Sequence, residues 1–245
     1  MALFAAAPAV ALFAAAPAVA QIGPQIDVNA EITTDLRERG LSASGGKASG
    51  AASLVVNGGG IGGELRATAL RESARHGGAD AGVAASLWYR AQRGGWQFEG
   101  GGTYRGFIDA PGDFDYGEVY ASAGYLIGPL DVGVGAYYAP DQRAIGGDNL
   151  YLRARARASL PGSPLALVAH VGRSSGSVDD GVKAGRLRPG GTYADWSLGA
   201  EWVRGPLTLA LRYSDTDIER RRIVSPLADA SNVGSRVTGT VGFGF

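Results

Sequence analysis

Residues 150–160 read LYLRARARASL, and their period is two. Leu150, Leu152, Ala154, Ala156, Ala158 and Leu160 fall on one face, while Tyr151, Arg153, Arg155, Arg157 and Ser159 fall on the other. A helical period of 3.6 would scatter the arginines, so this stretch is a strand with two unlike faces. In a soluble sandwich the apolar face points into a core and the arginines into water. In a barrel immersed in lipid the assignment inverts, with apolar side chains outside and polar ones lining a lumen.

The same alternation marks twelve segments: 25–36, 50–57, 63–71, 80–90, 96–105, 116–127, 129–139, 148–160, 164–173, 193–204, 206–215 and 235–245. What separates them decides between the two readings. Short turns (58–62, 91–95, 128, 161–163, 205) alternate with longer polar stretches (37–49, 72–79, 106–115, 140–147, 174–192, 216–234). The reading is all-β: a single transmembrane antiparallel barrel of about twelve strands in meander order. Short periplasmic turns lie at one rim and longer extracellular loops at the other, with both termini in the periplasm of a Gram-negative bacterium. Strands of about ten residues, when tilted, also have the length needed to cross the hydrocarbon.

The aromatic residues give a third check. On the outward parity Tyr89, Trp96, Phe98, Tyr125, Trp202 and Phe245 fall near the short-turn rim, and Tyr104, Tyr138, Trp196 and Tyr213 near the long-loop rim. Between them the outward face is mostly Leu, Val and Ala. Two aromatic girdles around an apolar band match a bilayer slab. The chain closes on Val241, Phe243 and Phe245, an amphipathic strand with an aromatic carboxyl end of the kind read by barrel-insertion machinery.

Composition excludes several classes. The 245 residues include no cysteine and 2 histidines, and 23 basic side chains balance 23 acidic ones. No disulfide, iron–sulfur cluster, cysteine zinc site or thiol nucleophile is available, and a neutral chain is a poor nucleic-acid binder. No metal and no cofactor is expected. Residues 2–10, ALFAAAPAV, recur as residues 11–19 and end in Ala18-Val19-Ala20, which predicts a signal peptide over 1–20 cleaved before Gln21. The barrel domain is then 21–245. The 40 glycines divide between turns such as Gly58–Gly60 and inward strand positions such as Gly101, Gly133, Gly135, Gly199, Gly242 and Gly244. On the inward face they are expected to widen the bore.

Four blocks carry a family resemblance. Thr34-Asp35-Leu36-Arg37-Glu38-Arg39-Gly40-Leu41-Ser42 with Gly46-Lys47 resembles the N-terminal block of the TorF-type porins of Gram-negative bacteria, although Leu36 and Glu38 stand where that family tends to have aromatics. Asp113-Phe114-Asp115-Tyr116-Gly117-Glu118-Val119-Tyr120 is similar to its central block. Tyr193-Ala194-Asp195-Trp196-Ser197-Leu198-Gly199 and Tyr213-Ser214-Asp215-Thr216-Asp217 resemble its two late blocks. The resemblance implies an outer-membrane barrel with a pore and supplies no ligand.

Parity also assigns the charges of the lumen. The first seven segments turn Asp27, Glu31, Asp35, Glu64, Asp80, Glu99, Glu118 and Asp131 inward with Arg66, Arg90 and Arg105. The last five turn Arg153, Arg155, Arg157, Arg212 and Arg236 inward with Asp195 and Glu201. An acidic wall facing an arginine-rich one is expected to orient polar solutes, with Arg153, Arg155 and Arg157 holding anionic groups. The predicted function is passive diffusion of small hydrophilic solutes through an outer-membrane porin, with outer-membrane lipid and lipopolysaccharide, the barrel-assembly machinery and small polar solutes as partners. A plugged or surface-binding barrel is the alternative, since inward charges that pair fill a small lumen. An enzyme is not expected. Gly58-x-Gly60-x-x-Gly63 mimics a dinucleotide fingerprint, but hairpin sequence follows it where a βαβ unit is required. A hydrolase would have to build on His76 or His170, with Ser174 and Ser175 near the latter in sequence.

Overall fold

In a computed structural model, residues 24–245 are described, and the expected signal segment lies outside them. Twelve strands close a barrel: β1 (Gln25–Thr33), β4 (Ser49–Gly58), β5 (Ile61–Ala69), β6 (Ala81–Arg93), β7 (Trp96–Ile108), β8 (Tyr116–Ile127), β9 (Leu130–Gln142), β10 (Gly147–Ser159), β11 (Leu165–Ser175), β12 (Tyr193–Arg204), β13 (Leu207–Thr216) and β14 (Arg236–Gly244). Every barrel strand pairs antiparallel with its sequence neighbour, and β1 with β14 completes the circle. A two-stranded hairpin, β2 (Arg37–Glu38) and β3 (Leu41–Ser42), stands between β1 and β4. No helix among the described residues is long and apolar enough to cross a membrane.

The sequence period explains why these segments form strands. In β6 the residues alternate between exposed Val83, Leu87 and Tyr89 and buried Ala84, Ser86 and Trp88. Reversing a single register would turn every such set over, so the pairing is strongly specified. The β4–β5 turn uses glycines where both central residues are left-handed: Gly59 has φ +59° and Gly60 φ +85°, the geometry that matches the twist of a two-residue hairpin. Both described chain ends lie at this short-turn rim, where Gln25 pairs with Asn57 and Phe243 with Leu207.

The other rim departs from the expectation in two places. The expected long loop 140–147 shrinks to residues 143–146, because β9 and β10 run further and a bulge between Gly147 and Asn149 absorbs the extra residue. The stretch 37–49 is no open loop, since β2 and β3 fold within it. The buried apolar clusters collect at this end. One joins Leu36, Ala43, Leu70 and Ala79; a second Tyr116, Ala139, Ala144, Ile145 and Leu187; a third Leu41, Tyr193 and Val233. The barrel wall itself leaves its Leu, Val and Ile side chains exposed outward.

Candidate functional site: the lumen and its mouth

The mouth is built from the four sequence blocks. At the end of β1, buried Asp35 accepts hydrogen bonds from Ser42 Oγ at 2.6 Å, Ser44 Oγ at 3.2 Å and Arg37 Nη1 at 3.2 Å. A carboxylate satisfied by three short-range donors bends the chain back on itself, and the β2–β3 hairpin turns inward. At its tip Arg39 (φ +52°) and Gly40 (φ +75°) are both left-handed. A Cβ on Gly40 would lie 2.6 Å from Thr216 Cγ2 and 2.7 Å from Asp195 Cβ, so only glycine fits.

Arg39 reaches across the barrel. Its guanidinium pairs with Glu118 on β8 and lies 4.6 Å above the Tyr151 ring on β10 and 5.9 Å from that of Tyr137 on β9, while its carbonyl accepts from Tyr193 Oη at 2.9 Å. Burial alone would lower the pKa of Arg39, but Glu118 and its neighbouring tyrosines raise it above its ordinary value. Residues of all four blocks therefore meet at one point: the hairpin of the first, Glu118 of the second, Tyr193 and Asp195 of the third and Thr216 of the fourth.

Below the hairpin the inward charges pair with close neighbours. Arg66 pairs with Glu31, Arg90 with Glu99, and Arg105 lies 3.8 Å from Glu118 and 3.9 Å from Glu38. Of the three-arginine ladder, Arg155 pairs with Asp131 at 2.8 Å and Arg157 with Glu201, which also takes Arg212 at 3.0 Å. Arg153 donates instead to Tyr137 Oη at 3.3 Å and lies over that ring. Asp27 accepts from Gln25, and Glu64 is buried. Arg236 sits half-exposed at the long-loop rim, 3.7 Å from Asp35, and Asp80 is exposed there. A cavity of about 330 Å³ runs from Pro206 and Phe245 at the short-turn rim past Glu31, Arg66 and Arg212 up to Arg37 and Arg39 of the hairpin.

The inward glycines are occupied space. A Cβ at Gly101 would strike the Leu87 carbonyl oxygen of the neighbouring strand, one at Gly133 would lie 3.1 Å from Arg155 Nε, and one at Gly135 would lie 3.1 Å from the Tyr137 ring. They give large inward side chains room to lie across the neighbouring strand, and the bore is correspondingly narrower than an empty glycine stripe would leave it. Of these inward rings Tyr151 shares the arginine face already in the sequence, while Trp88, Tyr120 and Tyr137 escape a count of outward aromatics, although the parity that sends Tyr138 out also sends Tyr137 in.

On the outer surface Tyr89, Trp96, Phe98, Tyr104, Tyr138, Trp196, Tyr213 and Phe245 are exposed, while Tyr125 and Trp202 are partly covered. The rings of Trp96 and Tyr125 lie 4.9 Å apart. Val241, Phe243 and Phe245 all face outward on β14.

His170 does not bond Ser174 or Ser175. Its Nε2 is 2.8 Å from Asp195 Oδ1 and its Nδ1 2.6 Å from Ser197 Oγ, while Ser174 Oγ donates to Asn149 at 2.9 Å. Because a carboxylate only accepts, Nε2 carries the proton toward Asp195, and in the neutral ring Nδ1 accepts from Ser197. Tyr151 Oη adds a donor to Asp195 at 3.2 Å.

The sequence shows arginines in the long loops, at 186 and 188 among others, but not what they hold. Arg186, from the loop between β11 and β12, donates through Nε to the Arg75 carbonyl at 3.1 Å and through Nη1 to the carbonyls of Phe114, at 3.0 Å, and Ala144. Arg75 Nε returns a bond to the Arg186 carbonyl at 2.7 Å. One side chain thus pins four loops together. Burial, with Arg75 close by, lowers its pKa to about 10. His76 stacks on Phe107 at 4.8 Å, and burial plus the Arg75 and Arg186 charges hold its pKa well below the ordinary imidazole range. Loops carry no period, so nothing in the sequence marks these residues as neighbours. No group of metal-ligating side chains is found among the described residues.

A family model matches residues 97–241, which contain the last three of the four blocks. The chain belongs to the Gcw_chp family, bacterial proteins of unknown function. Among curated protein sequences no significant match is found. Among solved structures this Gcw_chp chain is similar to KdgM porin, at 7% identity and a TM-score of 0.53, over 91% of this chain and 99% of that one. It is also similar to a chain from work on in-meso crystallization of membrane proteins, at 10% identity and a TM-score of 0.52, over 89% and 83% of the two chains. Pseudomonas aeruginosa OprD aligns at 12% identity with a TM-score of 0.47, over 91% and 67%. At such identities the first two likenesses establish a shared barrel fold.

Proposed function

We propose that this Gcw_chp chain is an outer-membrane channel of the TorF-type porin class, through which small hydrophilic solutes diffuse. The observation that carries the reading is the inverted alternation. Leu87 is 70% exposed, Leu198 62% and Val134 61%, whereas Arg66 is 5% exposed, Glu64 4% and Asp195 0%. A soluble protein gains nothing by presenting a belt of Leu, Val and Ile to water around a charged interior, and a bilayer favours that arrangement. Barrel strands of nine to thirteen residues suit the hydrocarbon thickness. By this reading the outer membrane of a Gram-negative bacterium holds the barrel, with the short turns and both termini in the periplasm and the hairpin at the extracellular mouth. Lipid and lipopolysaccharide contact the aromatic rims, and the Val241–Phe243–Phe245 strand is the mark for the assembly machinery. Planar-bilayer recording of the folded protein tests the proposal: discrete conductance steps are expected, and a silent membrane would overturn it.

The Ser197–His170–Asp195 chain supports a second reading, hydrolysis. Against it, Ser197 lies mid-strand between β11 and β13, paired with His170 and Ser214, so the ladder takes up the local backbone N–H groups and leaves none to stabilise an oxyanion. Hydrolysis of short p-nitrophenyl esters that is abolished in Ser197→Ala would establish the hydrolase.

A further inference from the structure

We infer that the arginines beneath the extracellular loops, Arg39, Arg75, Arg105 and Arg186, form a binding site for a small solute carrying a carboxylate or phosphate group. The inference rests on the channel reading only in that the solute arrives through the lumen. These side chains come from three loops and one strand; Arg105 and Arg186 gather around two rings, and Arg75 is bonded to Arg186. Arg186 Cζ is 5.0 Å from the Phe107 centroid and 5.9 Å from that of Tyr116, Arg105 Cζ is 5.8 Å from Tyr116, and the His76 ring stacks on Phe107. Arg39 joins them through Glu118, which it shares with Arg105.

The carboxylates facing this group do not use up its donors. Glu38 and Glu118 serve Arg39 and Arg105. Asp115 is engaged by the Phe107 amide at 2.9 Å and Tyr104 Oη at 3.0 Å, and Asp113 is exposed. Arg75 and Arg186 hold main-chain carbonyls and no carboxylate. Four guanidinium nitrogens are left buried without a hydrogen-bond partner: Arg39 Nη1, Arg75 Nη1, Arg105 Nε and Arg186 Nη2. The four side chains are each at least nine-tenths buried. Buried donors on charged groups are normally satisfied, and unpaired ones are expensive to keep. A cation would be repelled here and a neutral sugar would leave the charge uncompensated. An oxyanion meets both demands, because two guanidinium forks match the paired oxygens of a carboxylate or phosphate.

The sequence-derived ladder at Arg155 and Arg157 is a weaker candidate for the same role, since each already holds a carboxylate. The loop cluster differs in having donors left over.

The test uses the full folded barrel in detergent micelles free of lipopolysaccharide, with citrate and inorganic phosphate as probes and chloride at matched ionic strength as the control. Saturable protection against heat unfolding by citrate or phosphate but not chloride is expected. Arg75→Gln should weaken it at least tenfold and Arg75→Lys should restore part of it. Equal protection by chloride, or wild-type affinity in Arg75→Gln, would overturn the site. Competition by added lipopolysaccharide would show a headgroup site at the rim and equally overturn a solute site. A barrel that binds citrate yet never conducts would sink the channel while leaving the site, whereas one that conducts with no anion protection would sink the site alone.

Discussion

The two ends of the barrel are made by different rules. At the short-turn end, strands are joined by glycine-containing turns of two to five residues such as Gly59-Gly60, and Arg90 and Arg157 pair with carboxylates from nearby strands. At the long-loop end the chain folds into the mouth, apolar clusters bind the loops together, and arginines are held by main-chain carbonyls contributed by other loops. The first end is organised by neighbours in register, the second by contacts between distant segments. A register can be read from a period and a loop contact cannot.

The sharpest way to break this contrast is to remove Glu118. Arg39 would then lose its one carboxylate while remaining buried, and Glu118→Ala should destabilise the mouth by about 3–5 kcal/mol, as expected for breaking a buried pair from one side. Thermal unfolding followed by the gel-mobility shift of the barrel reads this directly, and an unchanged midpoint would show that the hairpin does not hold the mouth. Next in size is Gly101→Val, which forces a Cβ against the Leu87 carbonyl oxygen and the Trp88 Cα and should lower the same unfolding midpoint by about 1–3 kcal/mol of overpacking. Trp88→Ala in the same chain should leave that loss in place, because the obstructing atoms are main-chain and Cβ atoms that alanine keeps, and a midpoint restored by it would place the clash on the indole instead.

A double-mutant cycle between Arg155 and Asp131 is expected to give a smaller coupling, about 0.5–3 kcal/mol, since the pair faces a partly open lumen. Additivity would mean the two side chains do not interact. The mouth should also be sensitive to acid where the short-turn end is not. His76 sits among Arg75, Arg186, Arg105 and Glu38, and its pKa is depressed in the folded state. Above the unfolded imidazole value near 6.5 both states are neutral there. As pH falls below about 6.5 the unfolded chain takes up a proton that the folded one refuses, so stability is lost. Faster hydrogen exchange in residues 70–80 at pH 5 than at pH 7.5, after correction for intrinsic rates and abolished by His76→Gln, is the expected result. The smallest effect belongs to Arg221 beside Glu219, an exposed pair whose loss in Arg221→Ala should remain below about 1 kcal/mol.

All twelve barrel strands were legible in the sequence, with ends displaced by a few residues, because alternation survives even where the residues are only alanine and arginine. The inward direction of Arg153, Arg155 and Arg157 was legible for the same reason. Their partners were not: Asp131 lies across one strand boundary from Arg155, and Glu201 lies two strands from Arg157, so pairing depends on side-chain reach across a curved wall. The block at 34–42 could be recognised by resemblance, yet its course into the lumen is set by Asp35 gathering Ser42, Ser44 and Arg37. The glycine excess alone suggests empty bore, whereas the space beside Gly133 and Gly135 holds Arg155 and Tyr137 and that beside Gly101 holds the neighbouring main chain.

The pairing of β1 with β14 bears on how such a chain must be made. Val28 and Phe245 exchange both of their backbone hydrogen bonds, each at 2.9 Å, so Phe245 is a stitch in the closing seam. These partners lie at opposite ends of the described chain, which is the greatest loop-closure distance the fold contains, and closure entropy is met only when the final strand arrives. The ring cannot shut before β14 has been made and has paired with β1. Until then two raw strand edges must be shielded from other chains.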